Sequence, residues 1–212
     1  MFDKSFAEDL SEYFPLAIGN EWHYEQNSTD DLFIVKAEKA ASNHFFNNQD
    51  IIKLVNSELS SIYLQKTING IIFLGNSSVK SDFNFYNKKP LMFLPFNKKY
   101  YKYGIMEEET EIYMPENNSD NVAEIKLNVK VCGKENVFVK AGDFFNCYKL
   151  ISTITIYNKI NNFIYIFTEY GWYGKGVGKV KYVLKLSFLN QGQIDTQTQL
   201  FELKECFITS NH

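Results

Sequence analysis

Apolar and polar residues alternate along most of this chain, which is the pattern of β-strands that bury one face and leave the other in water. The clearest run covers residues 121–131, where four apolar positions alternate with charged or amide ones: Ile125, Leu127, Val129 and Val131. The same period recurs from Phe144 to Ile156. It recurs again from Val180 to Leu186, and there we expect three lysines on the polar face, namely Lys179, Lys181 and Lys185.

Further strands are predicted at 21–27, 32–40, 50–56, 61–67, 71–75, 79–86, 99–103, 107–114, 162–169 and 196–207. Turn-forming clusters such as Asn69-Gly70 and Ala141-Gly142-Asp143 separate these runs. A dozen short strands joined by tight turns predict an all-β fold, mainly an antiparallel meander. A sheet this wide twists and exposes its edges, so we expect it to curl into a half-barrel or barrel, or to pack as a sandwich. No linker divides residues 1–212, which are expected to form one β-rich domain.

One short N-terminal helix is predicted before the first strand. Ser5 to Glu8 fits a capping box, and the apolar residues that follow have helical spacing: Phe6, Leu10, Tyr13 and Phe14. Pro15 is expected to end this helix.

Charge and composition exclude several kinds of partner. The net charge is −3, and all 22 basic residues are lysines. Without arginine no side chain can form the planar fork that grips phosphates or guanine edges, so we expect no nucleic-acid partner. No run approaches the roughly 20 apolar residues of a membrane-spanning helix. Acidic residues near the start, such as Asp3 and Glu8, are not typical of a signal peptide.

Candidate catalytic groups are few and scattered. Glu107, Glu109 and Glu111 share one face of a predicted strand, where charge pairing on a wet surface is the simpler interpretation. An enzyme, in practice a hydrolase, requires Glu109, Glu111, His23 or Cys147 to meet in one pocket. No metal-ligand, nucleophile or nucleotide-binding motif occurs, so we expect no enzymatic activity, metal site or cofactor.

The cysteines and the glycine-rich stretch also favour structural roles. Cys132, Cys147 and Cys206 are widely spaced, so we expect three buried thiols, although a single disulfide is an alternative. The stretch 170–179 contains glycines but fits neither the phosphate-loop nor the dinucleotide-binding spacing. It is predicted to be a bend between strands.

Four segments, in order along the chain, resemble a family of uncharacterised bacterial β-rich proteins, many of them exported or lipid-anchored. The first runs from Tyr13-Phe14-Pro15-Leu16 to Gly19-Asn20-Glu21-Trp22-His23-Tyr24, and the second covers 91–101. The third is the 137–147 hairpin, with Ala141-Gly142, Phe144 and Cys147, and the fourth is Tyr173 to Lys181. Lys175 and Lys179 depart from the pattern, because those proteins often have proline and an apolar residue there. The resemblance implies a curved antiparallel sheet similar to that of envelope lipoprotein carriers.

These observations lead to two main hypotheses. The 19 Phe, 14 Tyr and 2 Trp residues either line a cavity for an apolar molecule or fill the core. In the first case the protein binds an apolar ligand, or an envelope protein partner, in its curved sheet; in the second it is a structural or interaction domain. The expected binding residues are Trp22, Tyr24, Trp172 and Tyr173. A cell-envelope location, with an export signal already removed, is favoured over a cytoplasmic one.

Overall fold

The computed structural model describes residues 10–27, 32–40, 51–58, 60–78, 85–96, 105–113, 122–158, 162–190 and 193–209. Twelve strands form within these ranges and close into an antiparallel barrel. The strands are β1 Glu21–Gln26, β2 Leu32–Lys39, β3 Ile51–Asn56, β4 Ser60–Thr67, β5 Gly70–Ser78, β6 Phe85–Pro95, β7 Ile105–Tyr113, β8 Val122–Val139, β9 Gly142–Asn158, β10 Phe163–Gly174, β11 Gly178–Asn190 and β12 Gln193–Phe207.

Each strand pairs with its neighbours in the sequence, and β1 pairs with β12 to complete the ring. Closure removes the free edges that a flat sheet of this width would expose, and the predicted all-β barrel is thereby confirmed. The strand predicted at 79–86 is described only at its last two residues, which begin β6, and residues 79–84 lie outside the described part of the chain. β6 then continues to Pro95 across the Lys88-Lys89-Pro90 sequence, where no strand was predicted. The predicted strand at 99–103 lies outside the described residues.

The predicted N-terminal helix is described only at its end. Leu10–Tyr13 forms a short 3₁₀ turn with Leu10 and Tyr13 buried, and residues 1–9 lie outside the described part of the chain. Within the described ranges, helical structure nowhere reaches the length and apolar character that crossing a membrane requires.

The segment Leu10–Leu16 lies across one end of the barrel, which we call the plugged end. On one side, Lys66 at the end of β4 donates to the backbone oxygen of Phe14 over 3.0 Å. On the other side, the amide of Gly176, between β10 and β11, donates to the oxygen of Glu12 over 2.8 Å. Since β4 and β10 are opposite each other in the ring of strands, the segment spans the opening.

The β8–β9 hairpin is much longer than the barrel wall requires. At roughly 3.3 Å per residue, its 18- and 17-residue strands extend far beyond the 6-residue β3. Register shifts at Val131/Gly133 and Glu135/Val137 bend it, and its tip returns to β12, where the amide of Ala141 donates to the oxygen of Leu203 over 3.1 Å. The hairpin thus packs its apolar tip against β11 and β12, where Val137, Cys147 and Leu203 are buried together.

A buried asparagine connects the plug to the closing strands. Asn20 is only 1% exposed, and its amide group donates to the oxygen of Pro15. Its side-chain oxygen accepts hydrogen bonds from both the amide and the hydroxyl of Thr209, at 2.8 and 2.6 Å. Every polar atom of this side chain is therefore satisfied, as burial requires.

Candidate ligand cavity

A cavity of about 380 Å³ lies inside the barrel, between two packed clusters of apolar side chains. A barrel of about eight strands can be filled by side chains alone, and the interior widens as strands are added. Twelve strands enclose more space than these side chains fill, even with the plug in place. Buried apolar groups from both clusters line the cavity, including Phe14, Trp22, Leu64, Ile71, Phe73 and Ile156.

Polar groups in the cavity are grouped in two places. Asn56, Ser60, Ser61 and Asn76 line it where β3, β4 and β5 approach the end opposite the plug. Nearer the plugged end lies a second group, formed by Glu169, Tyr173 and Lys179, which we call the polar corner, and Ser152 lines the cavity beside it, opposite Glu169 on β9. The walls between the two groups are apolar, so the cavity is amphipathic along its length.

Within the polar corner every charge has a partner. The Lys179 ammonium lies 2.6 Å from one carboxylate oxygen of Glu169, and the Tyr173 hydroxyl donates to the other over 3.0 Å. The same ammonium lies 4.6 Å from the ring centre of Tyr182 and 5.7 Å from that of Tyr173. Aromatic faces attract a cation at these distances, so the ammonium is held by both the carboxylate and the rings.

The tyrosines around this corner remain neutral. Burial raises the pKa of Tyr173 well above its ordinary value, and the neighbouring Glu169 carboxylate raises it further. Burial likewise raises the pKa of Tyr24 and Tyr182. Tyr24 donates its hydroxyl proton to the backbone oxygen of Lys179 over 2.9 Å, which fixes the strand at that residue.

A β-bulge places Lys179 inside the barrel. Tyr173 pairs with Lys179 and Trp172 with Lys181, so Val180 is an extra residue in β11. Strict alternation predicts Lys179 on the polar outer face with Lys181, and that prediction is wrong for Lys179. Since two successive residues of a bulge can point to the same side, the extra residue turns Lys179 inward while Lys181 stays outside, paired with Glu202 at 2.6 Å.

Gly171 makes room for the polar corner. It lies between Glu169 and Tyr173 on β10, at a position where the side chain would point inward. A Cβ atom there would lie 2.7 Å from the Tyr173 ring and 3.0 Å from the Glu169 carboxylate. Glycine therefore allows the Tyr173 hydroxyl to reach back to the Glu169 carboxylate, four residues earlier on the same strand.

The structure brings together three of the four expected binding residues. Trp22, Tyr24 and Tyr173 line the cavity, and the Trp22 indole donates to the oxygen of Val177 over 2.7 Å. Trp172 does not line the cavity. Its indole donates to Glu135 over 2.7 Å, and Lys149 lies 4.8 Å from the ring centre. Trp172 belongs to the outer face of the β8–β9–β10 sheet.

The side chains considered for catalysis lie far apart around the ring. Glu109 and Glu111 are exposed on β7, where Glu111 pairs with Lys88 at 3.0 Å. His23 is on β1, on the opposite side of the ring, and bonds to Glu21 and Glu205. Among the described residues, no group of three His, Cys, Asp or Glu side chains could hold a metal ion.

The cysteines are free thiols in different environments. Cys147 is fully buried, and burial raises its pKa to about 11, so it stays protonated. The expectation that all three are buried is wrong, because Cys132 is exposed and Cys206 is partly exposed.

Sequence patterns miss the two charged residues of the polar corner. Glu169 falls at the end of a predicted strand and belongs to no motif. One signal was available: Glu169 has the same parity as Phe167 and Tyr173, so a period of two already places this carboxylate on an apolar face. Lys179 carries no such signal, because bulges are not visible in the alternation.

Comparison with protein families gives no match, and none of the curated proteins matches the chain. Two crystal structures are similar to it. A predicted lipoprotein from Parabacteroides distasonis ATCC 8503 has 14% identity and a TM-score of 0.43, covering 92% of this chain and 98% of its own. A predicted exported protein with a YmcC-like fold, from Bacteroides fragilis NCTC 9343, has 12% identity and a TM-score of 0.33 over the same shares. Similarity this distant carries no inference about what this chain binds or where it acts.

Proposed function

We propose that the protein is a non-enzymatic carrier that binds a small apolar molecule inside its barrel. The cavity supports this proposal more than any other feature. Its volume of about 380 Å³ lies near the lower end of the roughly 300–1,000 Å³ range of small-molecule sites. Apolar walls with a few grouped polar atoms are the usual composition of such sites.

An alternative is a protein-binding domain, which one surface feature favours. Phe138 and Phe145, near the tip of the β8–β9 hairpin, are each 63% exposed, and their rings form an edge-to-face pair at 6.3 Å. Two phenyl groups supply little of the roughly 800 Å² that each partner buries in a standard interface. We therefore assign the binding function to the cavity.

Native mass spectrometry of undenatured protein tests the proposal. We expect a mass excess over the bare chain that disappears after solvent extraction. We also expect the extracted protein to bind 1-aminoanthracene, an apolar fluorescent probe, at a ratio of one to one. A bare-chain mass together with no probe binding contradicts the carrier function.

A pair of matched substitutions locates the binding. Ile154 lines the cavity from β9, whereas Ile151 on the same strand has the opposite parity and is absent from the lining. Ile154→Trp should weaken probe binding at least tenfold by filling the space, and Ile151→Trp should leave it within twofold. Ser152→Leu, a smaller filling change at another cavity position, repeats the test if Ile154→Trp does not fold. Equal binding by all variants places the probe outside the barrel.

The proposal includes the cell-envelope location expected from the sequence motifs. Fractionation of cells that produce the protein from its native gene checks it: recovery only in the cytoplasm contradicts this part and leaves the cavity function intact.

A further inference from the structure

The polar corner is unusual because it places an ion pair in the wall of a largely apolar cavity. Glu169 and Lys179 both line the cavity, and their side chains are 20% and 27% exposed. Ion pairs taken out of water lose much of their solvation, so they are rarely the cheapest way to stabilise a fold. The bulge in β11 and the glycine at 171 both accommodate this pair.

Each partner retains hydrogen-bonding capacity. Among the described residues, the Lys179 ammonium makes one hydrogen bond, to Glu169, although it has three N–H groups. The Glu169 carboxylate accepts one bond at each oxygen, from Tyr173 and from Lys179, and has further lone pairs. A donor and an acceptor thus lie side by side on the cavity wall.

The corner carries no net charge, because carboxylate and ammonium cancel and the tyrosines are neutral. A carboxylate or ammonium group entering this space brings a charge with no counter-ion, at a high desolvation cost. A hydroxyl group carries no charge and can donate to Glu169 while it accepts from Lys179. A hydroxyl group can therefore form a hydrogen bond with each partner of the ion pair.

We propose that the cavity selects an uncharged aliphatic alcohol. This inference rests on the proposed carrier function. The terminal hydroxyl of the alcohol binds between Glu169 and Lys179, and its hydrocarbon chain lies along the apolar walls. At about 30 Å³ for each water-sized group, the cavity holds about a dozen non-hydrogen atoms. A ten-carbon chain with one oxygen is of this size.

Four probes with ten carbons separate the chemistry of the head group from that of the chain. They are 1-decanol, its isomer methyl nonyl ether, decanoate and decylammonium, titrated into solvent-extracted protein by calorimetry at pH 7.5. We expect 1-decanol to bind with a Kd at least tenfold lower than each of the other three. The ether has the same atoms but cannot donate a proton, so it tests the bond to Glu169 directly.

A double substitution and its matched control assign the preference to the polar corner. Glu169→Leu with Lys179→Met removes both the acceptor and the donor, and should reduce the preference for 1-decanol over the ether to less than threefold. Glu202→Leu with Lys181→Met removes an ion pair of the same 2.6 Å length on the outer face, and should keep the full preference. Glu169→Leu alone removes the acceptor and serves the same purpose if the double variant does not fold.

The outcomes separate the two proposals. Equal affinity for all four probes, or tightest binding of decanoate or decylammonium, overturns the alcohol selectivity and leaves the carrier function standing. Retention of the full preference by the inner double variant also overturns it. Failure of folded, extracted protein to bind any of the four, together with a bare-chain mass, overturns the carrier function itself.

Discussion

The barrel has two unlike arcs. In the long arc, β8 to β12, strands of 12 to 18 residues are paired along most of their length. In the short arc, β2 to β7, strands have 6 to 11 residues, whereas register shifts occur in both arcs. Among the described residues, the shortest ladder joins β6 to β7, with the backbone pairs Tyr86–Tyr113 and Asn87–Ile112.

The two arcs also contribute differently to the cavity. All three members of the polar corner come from β10 and β11 in the long arc, whereas β3, β4 and β5 supply apolar wall and the polar groups at the far end. Precise polar contacts need a rigid frame, and the long ladders of β9, β10 and β11, interrupted at the corner by the bulge at Val180, provide one. The loosely joined short arc is the part of the ring where we expect local opening, because local opening follows sparse pairing.

Two leucine truncations should differ most clearly between the arcs. Leu127 on β8 is fully buried in packed core, so Leu127→Ala should lower the free energy of unfolding by about 4 kcal/mol. Leu64 on β4 is also buried but borders the cavity, and fewer neighbouring atoms are lost, so we expect about 2 kcal/mol for Leu64→Ala. Urea unfolding measures both. Equal losses would mean that the cavity wall is packed as tightly as the core.

Hydrogen exchange should test whether the β6–β7 joint is weak. The amides of Leu150–Ile156 on β9 lie between two continuous ladders, to β8 and to β10. We expect them to exchange at least about 100-fold more slowly than the amides of Asn87 and Ile112, which lie at the β6–β7 joint. Low concentrations of guanidinium should speed exchange in β9 and leave the joint nearly unchanged, because the joint opens locally. Equal protection in both places removes the distinction between the arcs.

Acid should remove a small contribution that Glu135, in the long arc, makes to the free energy of unfolding. The pKa of Glu135 lies below its ordinary value of 4.5, because the Trp172 indole and then the Lys149 ammonium bond to its carboxylate. A lowered pKa in the folded state gives stability that is complete above about pH 4.5 and is lost as the pH falls through the folded value. Glu135→Gln should therefore cost less than about 1 kcal/mol at pH 7, since the pair is exposed, and nothing extra at low pH.

Thermal unfolding at several pH values measures the difference in stability between the parent protein and Glu135→Gln. A difference that grows toward low pH contradicts a lowered pKa of Glu135. Lys88→Met, which removes the exposed ion pair with Glu111 across the β6–β7 joint, offers the matching change in the short arc.

The sequence predicts strands in both arcs, but it places the ends of β2, β3, β4 and β7 within two residues and stops short of the ends of β8, β10 and β11. Strict alternation marks the first part of β8, from Ala123 to Lys130, where one face is buried and the other exposed, and it is lost at the register shifts that bend the rest of the strand. β6 escapes prediction because Pro90 and two lysines interrupt its apolar face at the loosely paired part of the ring.

The aromatic side of the site was predictable, and its charges were not. Trp22, Tyr24 and Tyr173 stand out as large residues in distinctive motifs, and they line the cavity. Lys179 depends on a bulge, which is a property of the pairing between β10 and β11 rather than of either sequence alone. The bulge therefore cannot be predicted from the alternation of residues within one strand.

The hydrogen bonds of Asn20 also bear on how the chain is made. Asn20 and Thr209 are 189 positions apart, and they meet where β1 closes onto β12. During synthesis from the ribosome, β1 can pair with β2 early, but its other edge has no partner until nearly the whole chain has emerged and β12 is available. Until then the apolar face of β1 is not fully buried. The nascent chain must bind chaperones or fold quickly to avoid aggregation. The hydrogen bonds between Asn20 and Thr209 can therefore form only late in the assembly of the barrel.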